Sequence, residues 1–117
     1  MKISILLPYK ENFSSIYAGA VSLFIRDMVK LSAFKDNITI YGNTTLKKIF
    51  KLRYKNINLR KNIVQSGSKL YVREFLKFEK ENPSDLIEIH NRPNYFHMIN
   101  KSFLKSNLVL YFHNDPL

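Results

Sequence analysis

Three short polar clusters in this sequence gather side chains that are capable of chemistry. They are Pro8-Tyr9-Lys10-Glu11-Asn12, His90-Asn91-Arg92-Pro93 and His113-Asn114-Asp115-Pro116. Imidazoles accept or donate a proton near neutral pH. A guanidinium pairs in two-pronged fashion with phosphate or carboxylate. Asn and Asp supply short hydrogen-bonding groups. A metal reading draws on His90, His97 and His113 with Asp115, but their spacing matches no zinc pattern, and no metal is expected. Familiar nucleotide and hydrolase signatures are missing. There is no G-x-G-x-x-G after the first apolar run, no G-x-x-x-x-G-K-[ST] and no G-x-S-x-G.

Each cluster follows a short apolar run, which makes it the end of a strand. Residues Lys2–Leu7 (KISILL) predict a first buried strand stopped by Pro8. Ile16, Ala20, Val21, Phe24, Ile25, Met28 and Leu31 recur at helical spacing, with Ser14 or Ser15 placed to cap the start. Asn37–Tyr41 predicts a second strand, closed by the turn pair Gly42-Asn43. Within Thr44–Tyr54, residues Leu46, Ile49 and Phe50 predict one or two helical turns, and Ile57 and Leu59 then alternate like a short edge strand. A helix over Ser68–Glu81 carries an apolar face of Leu70, Val72, Phe75, Leu76 and Phe78, and Asn82-Pro83 ends it. Asp85–His90 predicts the next strand. Pro93 suits the first turn of a helix facing inward with Phe96, Ile99, Phe103 and Leu104. Leu108–Phe112 predicts the last strand.

Strands alternating with helices predict an α/β, Rossmann-like three-layer domain with a mostly parallel sheet in the order 3-2-1-4-5. Ligands of such sheets bind beyond the carboxyl ends of the strands, near the switch point between the first and fourth. The three clusters should therefore converge on one rim. The helix beginning near Ser15–Gly19 should point its amino terminus there, where free N–H groups favour an anion such as a phosphate.

The 117 residues suffice for one domain. Cysteine is absent, which excludes disulfides and thiolate metal sites. The run Met1–Pro8 is too short for a secretory signal, and no stretch approaches the roughly 20 apolar residues needed to span a bilayer. A soluble, cytoplasmic domain is expected. The formal net charge is +10, and Asn37–Arg73 contains no acidic residue. That stretch holds Lys47, Lys48, Lys51, Arg53, Lys55, Arg60, Lys61 and Lys69. Such a patch attracts phospholipid head groups, lipid-linked phosphates or nucleic acid. A bland alternative is the Lys, Asn and Ile bias of an AT-rich genome.

The runs DLIEIHNRP and LVLYFHNDP resemble the fourth and fifth strands of the retaining GT-B glycosyltransferases of family four, which typically read D-[IVL]-[IV]-x-x-H and then a strand ending in H-[DNT]. KISILLP is similar to that family's first strand. The resemblance covers nearly the whole chain and implies the amino-terminal, acceptor-side half of a two-domain enzyme, with the carboxyl-terminal, donor-binding domain outside these residues. It implies transfer of a hexosyl group from a nucleotide-sugar to a glycan or lipid-linked acceptor, with retention and without a cofactor or bound metal. The setting it implies is cell-surface polysaccharide or lipopolysaccharide biosynthesis, possible at the inner face of the membrane. By position His113 is the catalytic residue, beside the donor sugar. His90, Asn91 and Arg92 line the acceptor side, and Asn114 and Asp115 join the substrate-binding set. Where the family often has Gly-Gly, this sequence has Ala18-Gly19-Ala20, so Gly19 alone keeps the close backbone approach and the methyl of Ala20 crowds it. Lys47, Lys48, Lys51, Arg53 and Lys55, interleaved with Ile49, Phe50, Leu52 and Tyr54, form a patch for anionic lipid or an anionic acceptor. On this reading the 117 residues alone are inactive, and no nucleic acid partner is expected. Two alternatives remain open: a non-catalytic flavodoxin-like binding module, and a basic nucleic-acid-binding domain.

Overall fold

The structure is a computed structural model that describes residues 1–59, 66–102 and 104–113. In chain order the elements are β1 (Ile3–Leu6), α1 (Ala20–Lys30), a short 3-10 turn (Lys35–Asn37), β2 (Ile38–Gly42), β3 (Tyr54–Asn56), α2 (Gly67–Glu81), β4 (Leu86–His90), α3 (Pro93–Asn100) and β5 (Asn107–Tyr111). The five strands form one sheet in the order β3-β2-β1-β4-β5, and every pairing is parallel. This is the expected Rossmann-like fold. Central strand β1 pairs on both sides, with Ile3 opposite Ile38 of β2 and Leu86 of β4.

A parallel strand buried on both faces needs apolar residues pointing both ways. On one face Ile3, Ile5 and Leu7 join Ile38 and Ile40 beneath Val21, Ile25 and Val29 of α1. On the other, Leu6, Tyr41, Ile87 and Ile89 meet Tyr71, Val72 and Phe75 of α2 and Tyr95 and Ile99 of α3. Edge strand β5 is covered on one side only. Leu108 and Leu110 pack on the α2–α3 core, whereas Val109 and Tyr111 on the α1 side are each 37% exposed.

Several local expectations fail, mostly because distant segments pair. Helix α1 begins at Ala20, with Gly19 at the cap position, so neither Ser14 nor Ser15 caps it. The Ser14 hydroxyl instead donates to the Lys47 carbonyl at 2.5 Å and accepts from the Ile16 N–H at 3.2 Å. Backbone bonds from Ser15 N to Lys48 O and from Phe50 N to Phe13 O continue the link. This pairing, with an antiparallel bridge between Ser14 and Ile49, holds 44–53 in a non-helical path. Phe13 supplies the apolar reason, because it lies edge-on to Phe50 and stacks on Tyr54, with centroids 5.0 and 5.3 Å away. The edge strand is accordingly Tyr54–Asn56, and Ile57, expected within it, is buried just beyond. Ile16 and Leu31, expected on the buried face of α1, are 50% and 89% exposed. Phe103 lies outside the described residues, and Tyr95 takes the buried position expected of Phe96 on α3.

Helix α2 starts one residue earlier than expected, where the Ser66 hydroxyl accepts from the Lys69 N–H. At its other end Glu79 is fully buried. Its carboxylate accepts from the Ser4 hydroxyl at 2.5 Å, the Ser84 N–H at 2.8 Å and the Ser84 hydroxyl at 2.9 Å. The clamp ties the α2–β4 turn to the middle of β1. Nearer the carboxyl ends of the strands, the Tyr71 hydroxyl donates to the Leu7 carbonyl at 2.7 Å. Burial, and then the neighbouring Tyr95 and Tyr54, push that phenol well above the usual tyrosine value. Among the described residues no helix is long and apolar enough to cross a membrane.

Deleting a buried acceptor leaves its donors unsatisfied at about 1–3 kcal/mol, more when the lost group is charged, whereas one neutral hydrogen bond nets about 1 kcal/mol. Glu79→Ala is therefore expected to destabilise the fold more than Tyr71→Phe in urea titrations. Equal stability of Glu79→Ala and the wild type contradicts the clamp.

Candidate functional site

The parallel arrangement brings the carboxyl ends of β1, β4 and β5 to one rim. After β1 the chain turns sharply, with Glu11 N bonded to Pro8 O and Lys10 in the left-handed region at φ 66°. After β4, Asn91 also adopts a left-handed backbone, at φ 56°. Asn tolerates this conformation, and Lys pays a cost of about 1 kcal/mol. The Asn91 side chain accepts from the His113 N–H at 2.7 Å, and its own N–H donates to the Tyr111 carbonyl. The ends of β4 and β5 are thereby locked together.

A cavity of about 300 Å³ opens at this rim, bounded by residues 8–12, by Tyr17, Ala18 and Gly19 before α1, and by Arg92. Arg92 is exposed, and its Nη1 donates to the Asn91 carbonyl at 2.7 Å. The ammonium of Lys10 lies 5.5 Å from the Tyr9 ring centroid. The cavity thus meets two cations, Lys10 and Arg92, and one carboxylate, Glu11.

Glu11 corrects the expectation for the start of α1. Gly19 is indeed needed for a close approach, but the approaching group is internal. A Cβ at Gly19 would fall 1.6 Å from a Glu11 carboxylate oxygen. The same oxygen accepts from the Ser22 hydroxyl at 3.2 Å. The helix amino terminus therefore already has a negative partner, in the place expected for a ligand anion, worth about 0.3–1 kcal/mol to the helix. Ala20 is exposed at the first helical position.

The histidines separate into two groups. His97 is exposed on α3, away from the others. His90 was expected to line the acceptor side, but it is fully buried at the end of β4. Its ring stacks on Tyr111 at 5.0 Å and 6°, and its Nδ1 lies 2.7 Å from Nε2 of His113. His113 is half-buried at the rim, with Phe24 of α1 edge-on at 4.7 Å. Burial, and then the neighbouring His90, lower its pKa from the ordinary 6.5. Asn114 and Asp115 lie outside the described residues. Among the described residues no group of three or more His, Asp or Glu could hold a metal.

The basic segment has a clear sidedness. Lys47, Lys48, Lys51, Arg53 and Lys55 are all exposed, and Lys55 sits 3.7 Å from the Phe78 ring centroid. The apolar residues between them, Ile49, Phe50, Leu52 and Tyr54, turn inward against the α1-side core. They are partly buried there. Arg60 and Lys61 lie outside the described residues.

Neither the contact of Glu11 with Gly19 nor that of Glu88 with His90 is predicted by the sequence. Glu88 had a signal, since it is the lone acid inside the apolar run Leu86–His90, and that side of the sheet holds its carboxylate 3.5 Å from His90 Nε2. Glu11 had none, because its partner Gly19 is read as a ligand contact from sequence.

A histidine with a folded pKa below its unfolded value stabilises the fold fully above the unfolded value, and loses that contribution as pH falls through the folded value. His113 should therefore add a small stability loss on acidification below 6.5. Melting temperatures across this range should show that loss in the wild type and less of it in His113→Ala; an identical slope in the two contradicts the assignment. No family model, curated protein or solved structure matches this chain.

Proposed function

We propose that this chain is the acceptor-side domain of a retaining GT-B glycosyltransferase, which presents a glycan or lipid-linked acceptor to a nucleotide-sugar held by a second domain. The observation that carries the reading is the rim. Lys10, Gly19 and Arg92 border one cavity at the switch point of a 3-2-1-4-5 parallel sheet. His113, outside the cavity lining, is fastened at the end of β5 to Asn91, the chain neighbour of Arg92. A carbohydrate needs donors and acceptors at fixed spacing, which the side chains and turned backbone of the rim supply. Arg92 and Lys10 suit an acceptor that carries a phosphate or carboxylate. Glu11 limits how much negative charge the cavity accepts beside α1.

In this reading His113 hydrogen-bonds a sugar hydroxyl, and His90 acts from behind it. The exposed lysines at 47, 48, 51 and 55 add a purely electrostatic attraction to anionic lipid, about 1 kcal/mol for each charge near the surface. Equal binding to anionic and neutral vesicles would remove that part of the reading.

Calorimetric titration of the protein with short saccharides and sugar phosphates tests the main proposal. Saturable binding is expected, weakened about ten- to hundredfold in Arg92→Ala, the worth of one charge-assisted hydrogen bond. No saccharide binding, together with oligonucleotide binding that weakens steeply with salt, would replace this reading with the nucleic-acid one.

A further inference from the structure

Behind the rim, three titratable side chains stand in line. Glu88 of β4 is 14% exposed at its side chain, and its Oε2 faces Nε2 of His90 at 3.5 Å. Among the described residues neither of these buried atoms has a hydrogen-bond partner. On the opposite edge of the same ring, His90 Nδ1 meets His113 Nε2 at 2.7 Å. A buried imidazole with both nitrogens aimed at titratable groups is a costly way to fill space, since each polar atom must be satisfied. An aliphatic side chain would pack against Tyr111 without that cost.

The chemistry of the three groups orders their protons. An ionised carboxylate has only lone pairs to offer, so a hydrogen on the His90 nitrogen that faces it at 3.5 Å avoids setting lone pair against lone pair. A neutral imidazole has one N–H, which leaves His90 Nδ1 as an acceptor. The 2.7 Å contact then requires the hydrogen on His113 Nε2. The remaining nitrogen of His113, Nδ1, keeps its lone pair.

We infer that Glu88, His90 and His113 form a buried-to-rim proton relay in which Glu88 and His90 are positioning residues that hold His113 as an acceptor for a ligand hydroxyl. A proton that arrives at His113 Nδ1 is matched by transfer of the Nε2 proton to His90 Nδ1. His113 is left neutral, and the positive charge rests on His90 against the Glu88 carboxylate. The relay takes up one proton and conserves all electrons. Only the identification of the hydroxyl as a sugar's rests on the glycosyltransferase reading. The proton order does not depend on it.

Nitrogen NMR of the isotope-labelled protein reads the order directly, at a pH where the imidazoles are neutral. The chain has three histidines, and exposed His97 serves as the internal reference. His90 and His113 are each expected as a single tautomer protonated at Nε2, with a scalar coupling across the bond between the two rings. His97 is expected to show the average of an unconstrained ring. Glu88→Leu, which removes the acceptor, should move the His90 and His113 signals toward the average. A hydrogen on His113 Nδ1, or wild-type rings that average as His97 does, overturns the relay without bearing on saccharide binding, so the wild-type spectrum decides even if the variant does not fold. Unchanged signals in a folded Glu88→Leu protein overturn the role of Glu88.

Discussion

The two-sided parallel pairing of β1 is the constraint on which the rest of this structure depends. Parallel neighbours force all five strands to end at the same edge. They also force each connection to return across a face, which is why helices cover both sides. A strand in that position has no solvent face, and its sequence has to satisfy two cores at once. Ile3 and Ile5 serve one, and Leu6 serves the other. Ser4 is the exception, a polar residue fully buried in the central strand. It is tolerable because Glu79 and Ser84 bond it, so the clamp at the end of α2 and the central strand stand or fall together.

The rim inherits its composition from the same constraint. Strand ends that must turn together bring Lys10 and Asn91 into left-handed backbone conformations, and the Asn91 side chain binds the end of β5. The charge balance there is local and partly internal. Glu11 neutralises the start of α1, while Arg92 and Lys10 leave the cavity net cationic. Beneath the surface, the apolar stack of His90 on Tyr111 keeps water from the nitrogen facing Glu88, which strengthens any interaction between them.

The order of β2, β1, β4 and β5 was legible in the sequence because each is a short apolar run bounded by Pro, Gly or Asn, with a helix between successive runs or beside them, whereas β3 is the polar run Tyr-Lys-Asn and follows β2 without a helix. Helix α2 was legible from its periodicity and its Asn82-Pro83 stop. What escaped depended on contacts between distant segments. The start of α1 looks capped by serine, yet Ser14 is taken by Lys47, a partner no local pattern names. The 44–53 segment has helical spacing in Leu46, Ile49 and Phe50, but packing around Phe13 overrides it. At the site, Arg92 and Gly19 border the cavity, whereas burial of His90 follows from its register beside Tyr111, which sequence does not reveal. The recruitment of Gly19 by Glu11 is likewise a tertiary event.

The central claim is that the switch-point rim is a carbohydrate site. A crystal structure of the protein with a bound sugar phosphate tests it most directly. The account predicts the phosphate beside Lys10 and Arg92, and a sugar hydroxyl within hydrogen-bond distance of His113. A ligand seated instead on the exposed α1-side face of β5 at Val109 and Tyr111, or along the basic segment from Lys47 to Lys55, would contradict it.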